Sequence, residues 1–214
     1  MRTCLEYCAE NATLLERAID AGANRIELCD NLAVGGTTPS YGSMQYAIST
    51  AHDRGVPVMV MIRPRSGDFE YSKPELDIME ADIFAARRLG ADGVVLGCLH
   101  NEWLDELAIK RLMYAVRNLD VTFHMAFDAL PNQEIRLRAI DWLAQQGVRR
   151  ILTHGGPLET PIEQNLEVIR RYIDRAAGRL AILPGGGITY KNVHDICEHL
   201  DVCEAHGTRI VELP

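Results

Sequence analysis

Leu89-Gly90-Ala91-Asp92-Gly93-Val94-Val95-Leu96 is the stretch from which the fold can be read. Upstream of it, Leu76, Met79, Ile83 and Ala86 recur at helical spacing, so 75–89 reads as an amphipathic helix. Gly90 stands where such a helix ends in a left-handed residue. The Val-rich run behind it suits a buried strand. The same joint recurs at Ala21-Gly22-Ala23 before Arg25-Ile26-Glu27-Leu28, at Arg54-Gly55-Val56, and at Gln146-Gly147-Val148. Asn118 and Gly178 occupy comparable places, and successive joints are 28 to 35 residues apart. A period of about 30 is the size of one βα unit.

Working outward, eight strands are expected at 3–8, 25–29, 57–62, 93–97, 121–126, 149–153, 180–183 and 202–206. Helices are expected between them, at 12–21 (with Asn11 as N-cap), 75–89, 133–146 and 161–176. Strict alternation of strand and helix implies a parallel sheet with helices outside. Eight units, and no Gly-rich dinucleotide fingerprint after the first strand, favour an α/β fold of the closed (β/α)8 TIM-type over an open sheet. One such domain would span 1–214. The sequence ends eight residues after the eighth strand, leaving no room for a last outer helix. A second copy, in a homodimer, is the expected cover for that wall.

Apolar residues are 47% and charged residues 24% of the 214, an ordinary globular balance. No apolar run approaches the ~20 residues that cross a bilayer, and MRTCLEYCAEN lacks the regions of a signal peptide. A net charge of −8 disfavours nucleic acid and anionic membranes as partners. Six cysteines without an export signal point to reduced thiols in the cytoplasm. None forms a C-x-x-C pair, which disfavours a zinc ribbon or a thioredoxin-like motif.

Strand residues alternate sides. Cys4, Glu6 and Cys8 share one side of the first strand, and Arg25, Glu27 and Cys29 face inward on the second. Met59, Met61 and Arg63 do so on the third, Thr122 and His124 on the fifth, with Asp128 just beyond, and Glu204 and His206 on the eighth. Barrel interiors are normally filled by Val, Ile and Leu, and catalysis sits at the C-terminal strand ends. Glu27, Arg63, His124 and Asp128 are therefore the candidate catalytic set. His124 with Asp128 reads as a general base and its orienter, or as a satisfied core histidine. Arg63 and Arg65 read as anion ligands, or as neutralisers of Glu6, Glu27 and Glu204. Gly185-Gly186-Gly187 reads as an anion or cofactor-phosphate loop, or as a tight turn. Cys8 and Cys29 close adjacent strands about 4.8 Å apart, and with His206, Met59 and Met61 nearby they form a soft donor set suited to Cu(I). Cys98, Cys197 and Cys203 read as small buried hydrophobes. His52, His100, His194 and His199 read as surface residues.

The blocks Arg25-Ile26-Glu27-Leu28-Cys29, Gly35-Gly36-Thr37-Thr38-Pro39-Ser40, Ile62-Arg63-Pro64-Arg65 with Gly67-Asp68-Phe69, and Phe123-His124-Met125-Ala126-Phe127-Asp128 resemble those of the CutC family. Ile151-Leu152-Thr153 and Glu204-Ala205-His206 extend the resemblance over nearly the whole chain. It implies a cytosolic TIM-type barrel, often dimeric, assigned to copper homeostasis, with Cu(I) held by cysteines in some members. Mapped here, Cys8 and Cys29 are the implied ligands. The short C-terminus departs from longer members. Two functions stay open: a Cu(I)-binding homeostasis protein, or a barrel enzyme acting on a small phosphate- or carboxylate-bearing metabolite, with an indirect copper link.

Overall fold

Short apolar runs that follow each helix zip into one parallel sheet in the computed structural model, which describes residues 3–213. Its strands are β1 (Cys4–Glu10), β2 (Arg25–Cys29), β3 (Val58–Met61), β4 (Gly93–Leu96), β7 (Asp120–Phe123), β8 (Arg150–Thr153), β9 (Ala181–Pro184) and β10 (Glu204–Gly207). The order is β10-β1-β2-β3-β4-β7-β8-β9, all parallel, so the sheet curls round into a nearly closed TIM-type barrel. At the remaining seam, a Cβ on Gly185 would stand 3.3 Å from the His206 ring, and Thr189 pairs with Arg209 in a single parallel bridge. All eight expected strands are present.

Outside lie α1 (Leu15–Asp20), α2 (Tyr41–His52), α3 (Lys73–Leu89), α4 (Glu106–Val116), α5 (Gln133–Gln145), α6 (Leu166–Ala176) and α7 (Val193–Leu200). Local chemistry fixes their ends. Ser72 and Glu75 form a reciprocal capping box at the start of α3, and Gly90 ends it with φ 87°. At the joint near Asn118 no glycine is available, and Arg117 takes the positive φ of 56° itself. The first helix starts later than expected, at Leu15, because Asn11 sits in a left-handed turn (φ 53°) and donates to Asp30 instead of capping. After β10, no helix follows among the described residues.

One element escaped the sequence reading. β5 (Leu99–His100) and β6 (Trp103–Leu104) form a separate antiparallel hairpin. Its turn residues, Asn101 and Glu102, both have positive φ (48° and 61°), the shape of a tight two-residue hairpin loop.

The outward strand faces (Ile26, Leu28, Val58, Val60, Ile62) pack on helix residues such as Met79, Ile83 and Ile48 to form the main core. Inside the barrel the filling differs. Cys8, Cys29, Met59, Met61 and Val95 make a separate sulfur-rich cluster. Gly93 makes room for it, since a Cβ there would meet Met59 Cε at 1.9 Å. Below that cluster lies a charged floor. Arg25 pairs with Glu6 and with Glu204 (2.6 Å), and Arg150 bridges Glu204 (3.1 Å) and Asp120 (2.9 Å). Among the described residues no helix is long and apolar enough to cross a membrane.

Candidate metal and ligand site

The parallel registers bring the polar residues together. Cys8 stands beside Glu27 across β1 and β2, and Glu6 beside His206 across β1 and β10, all pointing into the barrel. Glu27 is the meeting point. Its Oε1 lies 3.5 Å from Cys8 Sγ, 3.4 Å from Cys29 Sγ and 3.9 Å from His206 Nε2. The other imidazole nitrogen of His206 lies 2.8 Å from Glu6 Oε1. Donor atoms of Cys8, Glu27 and Cys29 all fall within 4.8 Å of one another, as do those of Glu6, Glu27 and His206.

Packing sets the protonation of this group. Cys8 and Cys29 both aim their thiols at Glu27 Oε1; the neighbouring Cys29 thiol and, against burial, His206 bring the Cys8 thiol down to about 5. The Cys8 sulfur beside it, with burial, holds Cys29 well above its ordinary value. Burial pushes the Glu27 carboxyl up to about 8. Burial opposes charge on His206 too, but Glu27, the Cys8 sulfur and Glu6 together raise it well above the ordinary imidazole value. Burial likewise opposes charge on Glu6, yet Arg25 and then His206 hold its carboxyl at about 2.

Over this cluster opens a cavity of about 300 Å³ at the C-terminal ends of the strands. Of the candidate residues, Cys8, Glu27, Cys29, Arg63, His124 and His206 line it, with Gly186 and Gly187 at its rim. Three others stand apart. Asp128 accepts from Thr153 Oγ1 (2.5 Å) and the His154 amide (2.8 Å), so the expected His124–Asp128 pair does not form. Burial raises the Asp128 carboxyl. Arg65 turns away to Asp68 (2.9 Å) and Glu75. Gly185 sits below the lining, packed toward Leu152. Neither Arg63 nor Arg65 neutralises the inner carboxylates; Arg25 and Arg150 do so for Glu6 and Glu204, and Glu27 faces His206. Of the remaining cysteines, Cys98 and Cys197 are buried as expected, but Cys203 is exposed.

The sequence reading missed His154, which is buried just past β8. One ring nitrogen lies 3.0 Å from the Gly186 carbonyl and the other 3.1 Å from that of Thr160, so it pins the glycine loop. The inward alternation Arg150, Leu152, His154 carried the signal for both Arg150 and His154.

A parallel (β/α)8 barrel with a thiol–carboxylate–imidazole cluster beneath a mouth cavity is the class of protein that this fold and site define. The CutC family model matches residues 3–211, and the chain belongs to the CutC family. A CutC family protein of Enterococcus faecalis is 54% identical over 207 residues, covering 96% of this chain and 99% of its own. The human copper homeostasis protein cutC homolog is 40% identical over 203 residues, covering 94% of this chain and 71% of its own. The crystal structure of CutC from Streptococcus agalactiae, described as a copper homeostasis protein, matches with a TM-score of 0.94 at 46% identity, over 98% of this chain and all of that one. Deoxyribose phosphate aldolase from Aeropyrum pernix (TM-score 0.70, 13% identity, 99% and 87% coverage) shares the fold alone.

Proposed function

We propose that this chain serves copper homeostasis by binding Cu(I) at Cys8 and Cys29, with His206 as a third donor. The observation that carries the reading is the meeting of two buried thiols on one carboxylate, with the donor atoms of Cys8, Glu27 and Cys29 within 4.8 Å of one another, in the floor of an open cavity. Thiolates, thioethers and imidazole are the soft donors that select Cu(I), and Met59 and Met61 share the thiols' cluster. Metal ligands are thiolate and neutral imidazole, so copper uptake displaces the protons held on Cys29 and on His206. Cytoplasmic thiols, kept reduced, would remain available for this role.

Anaerobic titration with Cu(I) against a coloured competing chelator tests the proposal. The protein is expected to withdraw Cu(I) stoichiometrically, and a Cys8→Ser/Cys29→Ser double variant to withdraw none. Cys203→Ser, at an exposed thiol, leaves uptake unchanged. Equal copper retention by the double variant refutes the assignment.

A further inference from the structure

The thiols occupy only the floor of the cavity. Its wall carries two arginines, Arg63 and Arg209. The buried arginines of the barrel floor are both neutralised by carboxylates. Arg63 is as buried as they are, at 5% exposure, but among the described residues no carboxylate pairs with it. Its two terminal nitrogens donate to the carbonyls of Val34 (3.1 Å), Gly36 (2.8 Å) and Gly67 (2.9 Å). Carbonyls satisfy N–H groups and supply no counter-charge, and a desolvated charge without one is costly. The Arg63 Nε–H has no acceptor among the described residues.

A second donor is stranded beside it. The Phe69 ring packs against both the Arg63 guanidinium (5.1 Å) and the His124 ring (5.0 Å). Burial and then Arg63 push His124 down to about 3, so its ring is neutral. Its Nδ1 accepts from the Ala126 amide at 3.1 Å, which leaves the single ring hydrogen on Nε2. That atom is buried without a partner. Buried polar groups are nearly always satisfied, and here two donors and one positive charge on the same wall are not. At the rim, Arg209 also has no carboxylate partner among the described residues. The rest of the wall is largely apolar, with Leu32, Phe69, Met125, Leu152, Leu158 and Ile188, beside the hydroxyl residues Thr189 and Thr208.

We propose that this cavity binds a small organic anion, a carboxylate or phosphomonoester with an apolar body, its acid group set against Arg63, His124 and Arg209. A volume of about 300 Å³ is at the small end of ligand sites, which run ~300–1,000 Å³. The inference does not depend on copper, because none of its recognition residues is a thiol. The test is calorimetric titration of the full chain, with excess Cu(I) chelator present, using phenyl phosphate, benzoate, inorganic phosphate and benzyl alcohol. Phenyl phosphate or benzoate is expected to bind at least tenfold more tightly than inorganic phosphate or benzyl alcohol. Arg63→Gln is expected to lose this binding, but Arg63 also ties two loops together. Arg209→Ala is therefore the decisive variant, since among the described residues no hydrogen bond uses that side chain, and it is expected to weaken binding at least fivefold. Failure of both organic anions to bind overturns the proposal. So does equal binding of inorganic phosphate, or unchanged binding by Arg209→Ala.

Discussion

Replacing Arg25 by methionine removes the central cation of the barrel floor. Arg25 and Glu6 are 6% and 1% exposed at their side chains, so Glu6 has no water to turn to. Two routes give the magnitude. Breaking a buried pair by removing one partner costs about 3–5 kcal/mol. Independently, folding takes the Glu6 carboxyl from 4.5 to about 2, which is worth roughly 3 kcal/mol at neutral pH. His206 still faces Glu6 at 2.8 Å, so the low end of the range is expected. In urea unfolding at pH 7, a loss of about 3 kcal/mol lowers the midpoint by on the order of 1–2 M. The sign with pH is fixed. A carboxyl depressed on folding stabilises above its unfolded value, and that contribution is lost as pH falls from 4.5 towards 2. The gap between the native protein and Arg25→Met therefore narrows on acidification. A variant within about 1 kcal/mol of the native protein at pH 7, or a gap that stays constant down to pH 3, refutes the reasoning.

Gly93→Ala is expected to destabilise by about 1–3 kcal/mol through overpacking, because the new Cβ would meet Met59 Cε at 1.9 Å and the Asp120 carbonyl at 2.7 Å. Trimming Met59 to alanine in the same chain relieves only the first clash, so denaturant unfolding of the pair should show partial rescue. The chain is expected to form a homodimer in solution, and the face it offers is α4 and not the helix-free wall after β10, because Leu107 (82% exposed) and Tyr114 (81% exposed) stand two turns apart on one side of α4. Light scattering that returns a single 23.9 kDa chain refutes this.

The barrel was legible because its signal repeats. Each helix, joint and strand says the same thing, and alternation then fixes which residues point inward. That is why Cys8, Glu27, Cys29, Arg63, His124 and His206 could be placed at one rim from residue types alone. Partner choice is a different matter. Arg63 and Arg25 are both inward arginines, but register sets Arg25 against Glu6, whereas Arg63 lies past its strand end among loop carbonyls. Asp128 is four residues from His124, yet an intervening 3-10 turn at 125–129 carries it to Thr153 instead. The hairpin at 99–104 was invisible for another reason: two-residue strands have no period to read.

The floor explains why chemistry is confined to one end of this barrel. Cys4 and Cys8 lie on the same strand with the same inward alternation, four residues apart. Burial carries the Cys4 thiol up to about 11, although Arg25 stands beside it, because that charge is already shared with Glu6 and Glu204. Cys8, one layer higher, meets a second thiol and an imidazole, and its thiol falls to about 5. A layer of ion pairs thus lies between an inert sulfur and a reactive one. The cavity that reaches Cys8 opens at the opposite end, so an ion or metabolite entering by it passes Arg209, Arg63 and Phe69. Copper and an organic anion would then share a single entrance, and the order in which they arrive becomes a property of that wall.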